Sequence, residues 1–154
     1  MIAEWRHGLC IWWGVDISVS GLTIANSGGD GVLLRGMKEG GWDRTDAVAQ
    51  RVPISNVTSD GNHRQGLSLI NCVACIIEDC VFSRTNSTKP MARVDIEPDN
   101  PGATLQDIVF RRCVALDNIG NGYQLSLPQL NVASDPPISI TFEDCHAMWS
   151  DNFD

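Results

Sequence analysis

The stretch Ile108-Val-Phe-Arg-Arg-Cys-Val-Ala115 carries the pattern that decides the fold of this chain. Apolar or small residues stand at positions 108, 110, 113 and 115, a spacing typical of short β-strands that turn one face toward a protein core. The phrase returns as Ile140-x-Phe142-x-x-Cys145-x-Ala147, and shorter or fainter copies occur at Ile17–Ile24, Ile54–Val57 and Ile77–Phe82. A phrase that recurs after a few tens of residues indicates an internal repeat.

A second set of predicted strands lies between these copies, each beginning at a turn and continuing into alternating apolar residues. The set comprises Gly8-Leu-Cys-Ile-Trp12, Gly31-Val-Leu-Leu-Arg35, Gly66-Leu-Ser-Leu-Ile70, Arg93-Val-Asp-Ile-Glu97 and Gly122-Tyr-Gln-Leu-Ser126. One unit of short strands and polar turns cannot bury its apolar face alone, whereas stacked units can. The sequence therefore favours an all-β solenoid of about five coils over a β-sandwich. We expect one domain over residues 1–154, or a fragment of a longer solenoid.

Composition and charge limit the class of partner. The 154 residues are 43% hydrophobic and 19% charged, as in folded single-domain proteins. A net charge of −8 argues against binding to nucleic acid or to a membrane. Residues Met1–Arg6 lack the basic segment and apolar core of a secretion signal. We nevertheless expect an extracellular or secreted protein whose signal peptide is not present in this chain.

The cysteines invite a metal or disulfide interpretation, but their spacing does not favour one. They are Cys10, Cys72, Cys75, Cys80, Cys113 and Cys145. Cys72-x-x-Cys75 is the one close pair, and neither a second such pair nor a histidine pair completes a zinc site. Cys80, Cys113 and Cys145 recur at the same place in the repeat. We therefore predict a reduced interior column in which each thiol acts as a small apolar side chain.

The stretch Arg93-Val-Asp-Ile-Glu-Pro98 contains an unusual pair of charges. Successive side chains of a strand point to opposite faces, so Asp95 and Glu97 share the outer face, with Cα atoms roughly 6.5 Å apart. Like charges this close raise each other's pKa unless a cation, a proton or a substrate compensates them. Folding alone gives little reason for such a pair, so we predict a functional site here.

Aligning the second set of strands predicts two outward columns and one row of turn residues around this pair. The columns are Trp12, Arg35, Ile70, Glu97 and Ser126, and Cys10, Leu33, Ser68, Asp95 and Gln124; the turns add His7, Asp30, Gln65 and Asn121, with Asp60 and Arg64 further back. Aromatic, amide, guanidinium and carboxylate groups on one face are typical of a carbohydrate site.

From this face we predict catalytic and substrate-binding residues. The predicted catalytic residues are Asp95, Glu97 and Asp30, and the predicted substrate-binding residues are Trp12, Arg35, Asp60, Arg64, Gln65 and His7. Asp30 and Asp60 each precede a glycine, where aspartate also serves simply to form a turn. Arg64 has a second interpretation as the ion-pair partner of Asp60 or Asp95.

Three phrases resemble those of right-handed parallel β-helix proteins of the pectate-lyase-like superfamily. They are Gly28-Gly-Asp-Gly-Val32, Asp60-Gly-Asn-His-Arg-Gln-Gly-Leu-Ser68 and Val94-Asp-Ile-Glu-Pro98. The resemblance covers nearly the whole chain and implies a right-handed parallel β-helix that acts on a polysaccharide or oligosaccharide. Members of the superfamily usually carry a capping helix and more coils. The absence of both patterns here indicates open ends through which the chain could form a homo-oligomer.

Three functions fit this resemblance, because the superfamily includes hydrolases, lyases and non-catalytic modules. The first is a glycoside hydrolase that uses the two carboxylates without a cofactor or metal. The second is a polysaccharide lyase in which Asp95 and Glu97 bind calcium and Lys38, Arg64 or Arg93 removes a proton. The third is a glycan-binding or structural module. Hydrolysis is the leading prediction.

Overall fold

The computed structural model describes residues 5–36, 47–117, 119–130 and 136–148 of the chain. In these ranges the chain forms short β-strands and no helix, and every strand pair is parallel. The same ranges contain no helix that is long and apolar enough to cross a membrane. The strands belong to four parallel sheets.

Two of the sheets begin each coil. Sheet 1 contains β1 (Leu9–Trp12), β4 (Val32–Arg35), β8 (Leu67–Leu69), β12 (Val94–Ile96) and β16 (Tyr123–Leu125). Sheet 2 contains β5 (Ala49–Gln50), β9 (Cys72–Val73) and β13 (Leu105–Gln106).

The other two sheets complete the coil. Sheet 3 contains β2 (Val19–Ser20), β6 (Ile54–Ser55), β10 (Ile76–Glu78), β14 (Ile108–Arg111) and β17 (Ile140–Glu143). Sheet 4 contains β3 (Thr23–Ala25), β7 (Thr58–Asp60), β11 (Val81–Ser83), β15 (Val114–Leu116) and β18 (His146–Met148).

The chain passes through the sheets in a fixed order and then repeats the path. After β4 it enters β5 in sheet 2, β6 in sheet 3 and β7 in sheet 4 before it returns to sheet 1 as β8. Each strand pairs with the equivalent strand of the next coil, and sheet 1 holds five strands in chain order. The predicted parallel β-helix of five coils is thereby confirmed. The handedness of the coil stays a prediction.

The interior is built from columns of apolar side chains that run along the solenoid. In sheet 1 the Cα partners Val32, Leu67 and Val94 are fully buried. In sheet 3 the column ends with Phe110 and Phe142, whose rings stack with centroids 4.9 Å apart. Phe110 is buried, whereas Phe142 in the last coil is 39% exposed because no further coil of the described chain covers it.

The repeated cysteine phrase spans a corner and not a single strand. The residue before each cysteine of the column has a positive φ, at 53° for Asp79 and 49° for Arg112, which turns the chain from sheet 3 into sheet 4. The turn directs Cys80 and Cys113 into the apolar core, where both are fully buried. Cys145 packs against that core in the last coil, and all three thiols are free. The predicted reduced column is confirmed.

Glycines at the start of the sheet 1 strands allow neighbouring coils to approach closely. A Cβ atom on Gly66 would lie 2.7 Å from the carbonyl oxygen of Arg93 and 3.2 Å from the Cβ atom of Phe82. A Cβ atom on Gly31 would likewise lie 2.7 Å from the carbonyl oxygen of Gly66. Both contacts are shorter than normal van der Waals separations, so a side chain here would push the coils apart. The absence of a side chain at Gly31 and Gly66 therefore allows the close turn that carries Asp30 and Gln65 just before the strands.

Candidate functional site

The outer face of sheet 1 brings together most of the predicted site residues. Cα partners in successive coils form the row Cys10, Leu33, Ser68, Asp95 and Gln124. Trp12 pairs with Arg35 in a second row, and the backbone hydrogen bond from Glu97 to Leu69 extends sheet 1 past the end of β12. The turn residues are also aligned, since Gly8 bonds to the carbonyl of Asp30 and Gly31 to that of Gln65. These rows match the predicted columns.

Asp95 is the buried member of the carboxylate pair, with 1% of its surface exposed. Its Oδ2 accepts a hydrogen bond from Gln65 Nε2 at 2.9 Å, and its Oδ1 accepts one from Gln124 Nε2 at 3.3 Å. The second amide is itself oriented, because Asn121 Nδ2 donates to Gln124 Oε1 at 2.9 Å. Asp95 is therefore held between two amides supplied by the neighbouring coils.

The environment of Asp95 favours its protonated form. Its pKa is raised to about 6, chiefly by burial and next by the negative charge of Glu97. The hydrogen bond from Gln65 and the positive charge of Arg64 act in the opposite direction, while a direct interaction with the Glu97 carboxyl raises the pKa further. Asp95 therefore carries a proton under mildly acidic conditions.

Glu97 is the partly exposed member of the pair, and its side chain is 36% accessible to solvent. It follows β12 directly, so it continues the outer face on which Asp95 lies. Arg64 Nη2 lies 3.8 Å from Glu97 Oε2. Glu97 is thus both reachable from solvent and placed beside a positive charge.

Asp30 lies behind Arg64 and is completely buried. Neither of its carboxylate oxygens has a hydrogen-bond partner within the described residues. Arg64 Nη1 lies 3.6 Å from Asp30 Oδ2, and His7 Nδ1 lies 3.3 Å from the same oxygen. Asp30 is therefore enclosed by two nitrogen-bearing side chains and has no access to a substrate. This placement differs from the catalytic role predicted for it.

The aromatic part of the predicted site lies in the first coils. The guanidinium of Arg35 stands over the ring of Trp12 at 5.3 Å from its centroid, and Arg35 Nη2 lies 3.3 Å from Asp99 Oδ2. Trp5 and Trp13 expose 73% and 46% of their surfaces near the start of the solenoid. Exposed indole rings offer flat apolar faces that sugar rings can cover.

Asp60 does not belong to this face. It lies at the end of β7 in sheet 4, where it accepts hydrogen bonds from Ser83 Oγ at 2.6 Å and Arg84 Nε at 2.8 Å. Gly61, with φ at 61°, then turns the chain away from sheet 4 before sheet 1 begins. The substrate-binding role predicted for Asp60 finds no support in this position, and Arg64 pairs with neither Asp60 nor Asp95.

Arg93 is also placed differently from the expectation. It is fully buried, and its Nε donates to the carbonyl of Leu116 at 2.6 Å while its Nη1 donates to Thr85 Oγ1 at 2.7 Å. Because these bonds hold the guanidinium away from solvent, Arg93 is not available to remove a proton from a bound sugar. Lys38, the other proton acceptor considered for a lyase, lies outside the described residues.

Two further groups of the site received no role from the sequence. Gln124 stood in the predicted column beside Asp95, and that register was the signal that could have identified it as a carboxylate ligand. Asp99 gave no such signal, because it follows Pro98 beyond the end of β12. Across the part of the chain that the structure describes, no three His, Cys, Asp or Glu side chains are arranged as ligands of a metal ion.

Comparison with known proteins identifies no relative. No protein family, curated protein or solved structure matches this chain. The resemblance to the pectate-lyase-like superfamily accordingly stays a prediction. A parallel β-helix by itself does not select a reaction, so a function has to be inferred from the side chains on sheet 1.

Proposed function

We propose that this protein is a glycoside hydrolase that binds a polysaccharide or oligosaccharide outside the cell, on the outer face of sheet 1. The observation that supports the proposal is the position of a buried carboxyl group, Asp95, and a partly exposed one, Glu97, on the same face of sheet 1, where the charge of Glu97 helps to raise the pKa of Asp95. Two carboxyl groups in unlike environments can divide the roles of proton donor and proton acceptor between them.

The proton of the pair is stored on the buried member. Asp95, with a pKa of about 6, keeps its proton in mildly acidic solution, whereas Glu97 stands near the guanidinium of Arg64. Because the two carboxyl groups are neighbours on one face, we propose that the proton passes from Asp95 to Glu97. Glu97, the more exposed of the two side chains, is the group that contacts the substrate.

In each round of hydrolysis this proton is donated to the substrate and then replaced. Glu97 donates it to the glycosidic oxygen as the bond to the anomeric carbon breaks, and the leaving sugar departs as an alcohol. A water molecule attacks the anomeric carbon and returns one proton to the pair, so the enzyme regains its starting state. Arg64 offsets the second negative charge that the pair carries between these two steps.

Substrate binding is assigned to the remaining polar and aromatic groups of the face. Trp12, held against Arg35, offers a ring surface to a sugar, and Trp5 offers another one in the first coil. No cofactor enters this mechanism. We also propose that the surface around Phe142, which is 39% exposed on sheet 3, allows homo-oligomers to form.

A second candidate is a module that binds glycans without cleaving them. The observation that favours it is the burial of Asp95, both of whose oxygens already accept hydrogen bonds from amides. In that case the Asp95 and Glu97 carboxyl groups only stabilise the outer face of sheet 1, and the exposed tryptophans bind the glycan.

The test is a panel of polysaccharides incubated with the protein, with and without EDTA. Reducing ends and ultraviolet absorbance of unsaturated sugars are measured in parallel, and binding is measured by co-sedimentation with insoluble glycans. The proposal predicts new reducing ends, no new absorbance and no effect of EDTA. The Glu97→Gln variant, which keeps the shape of the side chain, should release no reducing ends.

Each other outcome contradicts the hydrolase proposal. New absorbance that EDTA abolishes would identify the calcium-dependent lyase. Co-sedimentation without any product would identify the binding module. Product formation that survives in Glu97→Gln would place the chemistry elsewhere on the protein.

A further inference from the structure

We propose that Arg64 is a positioning residue of the carboxylate pair, anchored from behind by the buried Asp30 so that its guanidinium holds a positive charge beside Asp95 and Glu97. This inference gives Asp30 a role as an anchor. It rests on the proposed function only for its consequence in catalysis, since the arrangement of charges exists without a substrate.

The geometry of Arg64 supports this role. Its Nη1 lies 3.6 Å from Asp30 Oδ2 and its Nη2 lies 3.8 Å from Glu97 Oε2, so one guanidinium bridges a buried and an exposed carboxylate. The backbone adds a third attachment, because the amide of Arg64 donates to the carbonyl of Gly29 at 3.2 Å. Contacts at the backbone and at the guanidinium therefore restrict the motion of the Arg64 side chain beside Glu97.

Asp30 needs a cation, and Arg64 supplies it. A fully buried carboxylate with no hydrogen bond is costly unless a positive charge compensates it. His7 Nδ1 also lies near Asp30, at 3.3 Å from Oδ2 and 3.1 Å from the backbone amide nitrogen. Among the described residues within ion-pair distance of Asp30, Arg64 is the one whose side chain is a permanent cation.

Arg64 and its neighbour Gln65 treat the two carboxyl groups differently. Gln65 donates a hydrogen bond from a neutral amide to Asp95, whereas Arg64 places a positive charge near Glu97. That charge also lowers the pKa of Asp95. Two consecutive residues of one turn thus contact the two carboxyl groups of the next coil in different ways.

The experiment is a carbon-13 NMR titration of the Asp and Glu side-chain carboxyl groups in the whole protein, without substrate. Wild type, Arg64→Gln, Arg64→Lys and Asp30→Asn are compared, with Arg84→Gln as the control for loss of an ion-paired arginine on sheet 4. We expect Arg64→Gln to raise the Asp95 midpoint by at least about half a pH unit. Arg64→Lys should restore part of the shift, and Arg84→Gln should leave the midpoint unchanged.

Asp30→Asn separates anchoring from simple charge. If Asp30 acted on the pair only through its negative charge, its removal would lower the Asp95 midpoint. If it anchors Arg64, its removal frees the guanidinium and the midpoint rises, as in Arg64→Gln. Folding of each variant is checked from its amide spectrum, and Arg64→Gln remains decisive should Asp30→Asn fail to fold. An unchanged midpoint in Arg64→Gln, or a lowered one in Asp30→Asn, would overturn the proposal.

These outcomes are independent of the hydrolase proposal. A raised midpoint in Arg64→Gln with no hydrolysis of any glycan would retain the positioning role and reject the enzyme. Hydrolysis together with an unchanged midpoint would retain the enzyme and reject the positioning role. If the protein hydrolyses a glycan and Arg64→Gln raises the Asp95 midpoint, the pH profile of hydrolysis should shift with that midpoint.

Discussion

The side-chain amide of Gln65 donates a hydrogen bond of 2.9 Å to the carboxyl group of Asp95 across two successive coils of the β-helix. Both residues are buried, so this bond joins two polar groups away from water on the outer face of sheet 1. A protonated Asp95 is the form that burial favours there, and that preference makes the stability of the protein depend on pH.

The first prediction concerns that dependence. The pKa of Asp95 is about 6 in the folded protein against 3.8 for a free side chain, so the folded state binds the proton more tightly. The resulting stabilisation is complete below about pH 4 and is lost as the pH rises through about 6. Urea unfolding at pH 4 to 7.5 should show a loss on the order of 1–3 kcal/mol from this group.

The matched variant is Asp95→Asn, which cannot ionise. Its amide nitrogen can donate to the oxygen of Gln65, which is buried without a partner among the described residues, so the fold should persist. The pH-dependent loss should be absent from this variant. An identical loss in wild type and variant would show that Asp95 does not cause it.

The second prediction concerns the free thiols. Cys72, Cys75, Cys80 and Cys113 are fully buried, whereas Cys10 and Cys145 are partly exposed. Buried thiols are protected from reagents until the chain unfolds. A chromogenic disulfide reagent should therefore react with two thiols at most in the native protein and with all six in denaturant. Fast reaction of more than two thiols under native conditions would contradict the interior column.

The third prediction concerns the glycine that precedes β8. Gly66→Ala should lower the free energy of unfolding by about 3 kcal/mol, because its Cβ atom would collide with the backbone oxygen of Arg93. Gly21→Ala is the control: its φ is 66° but its Cβ atom would meet nothing within 4 Å, so about 1 kcal/mol is expected. Equal losses in the two variants would argue against close contact between the coils at Gly66.

The fourth prediction concerns Asp60. Because it lies on sheet 4 and pairs with the exposed Arg84, Asp60→Asn should leave hydrolysis unchanged. The Arg84 side chain is 66% exposed and that of Asp60 is 19% exposed, so loss of the ion pair should cost about 1 kcal/mol in urea unfolding. A loss of activity in a variant of normal stability would return Asp60 to the substrate site.

The repeat in the sequence was sufficient to predict the solenoid, because alternating apolar residues at equivalent places imply stacked strands. It was not sufficient to divide the cysteine phrase into two strands, since the corner depends on a positive φ at residues such as Asp79 and Arg112, which have no obligatory sequence signal. The strands of sheet 2 were missed for a related reason. With two residues each, β5, β9 and β13 are too short to show any alternation.

Register also explains which site residues the sequence could place. The rows through Asp95 and Gln65 follow directly from aligning the strands of sheet 1, and the structure has the same rows. Residues in the turns are set by the path of the chain, which alignment does not determine. For that reason Asp60 was assigned to the wrong surface, and the contacts of Arg64 with Asp30 and Glu97 could not be foreseen.

The measurement that tests the account most directly is the pH dependence of reducing-end release by the wild-type protein and by Asp95→Asn. If the carboxyl pair supplies the proton, the wild-type kcat/KM should fall about tenfold per pH unit above about pH 6. The variant should be at least about 100-fold slower and should lack this decline. A wild-type rate that stays level from pH 5 to pH 8, or a decline that Asp95→Asn retains, would contradict the account.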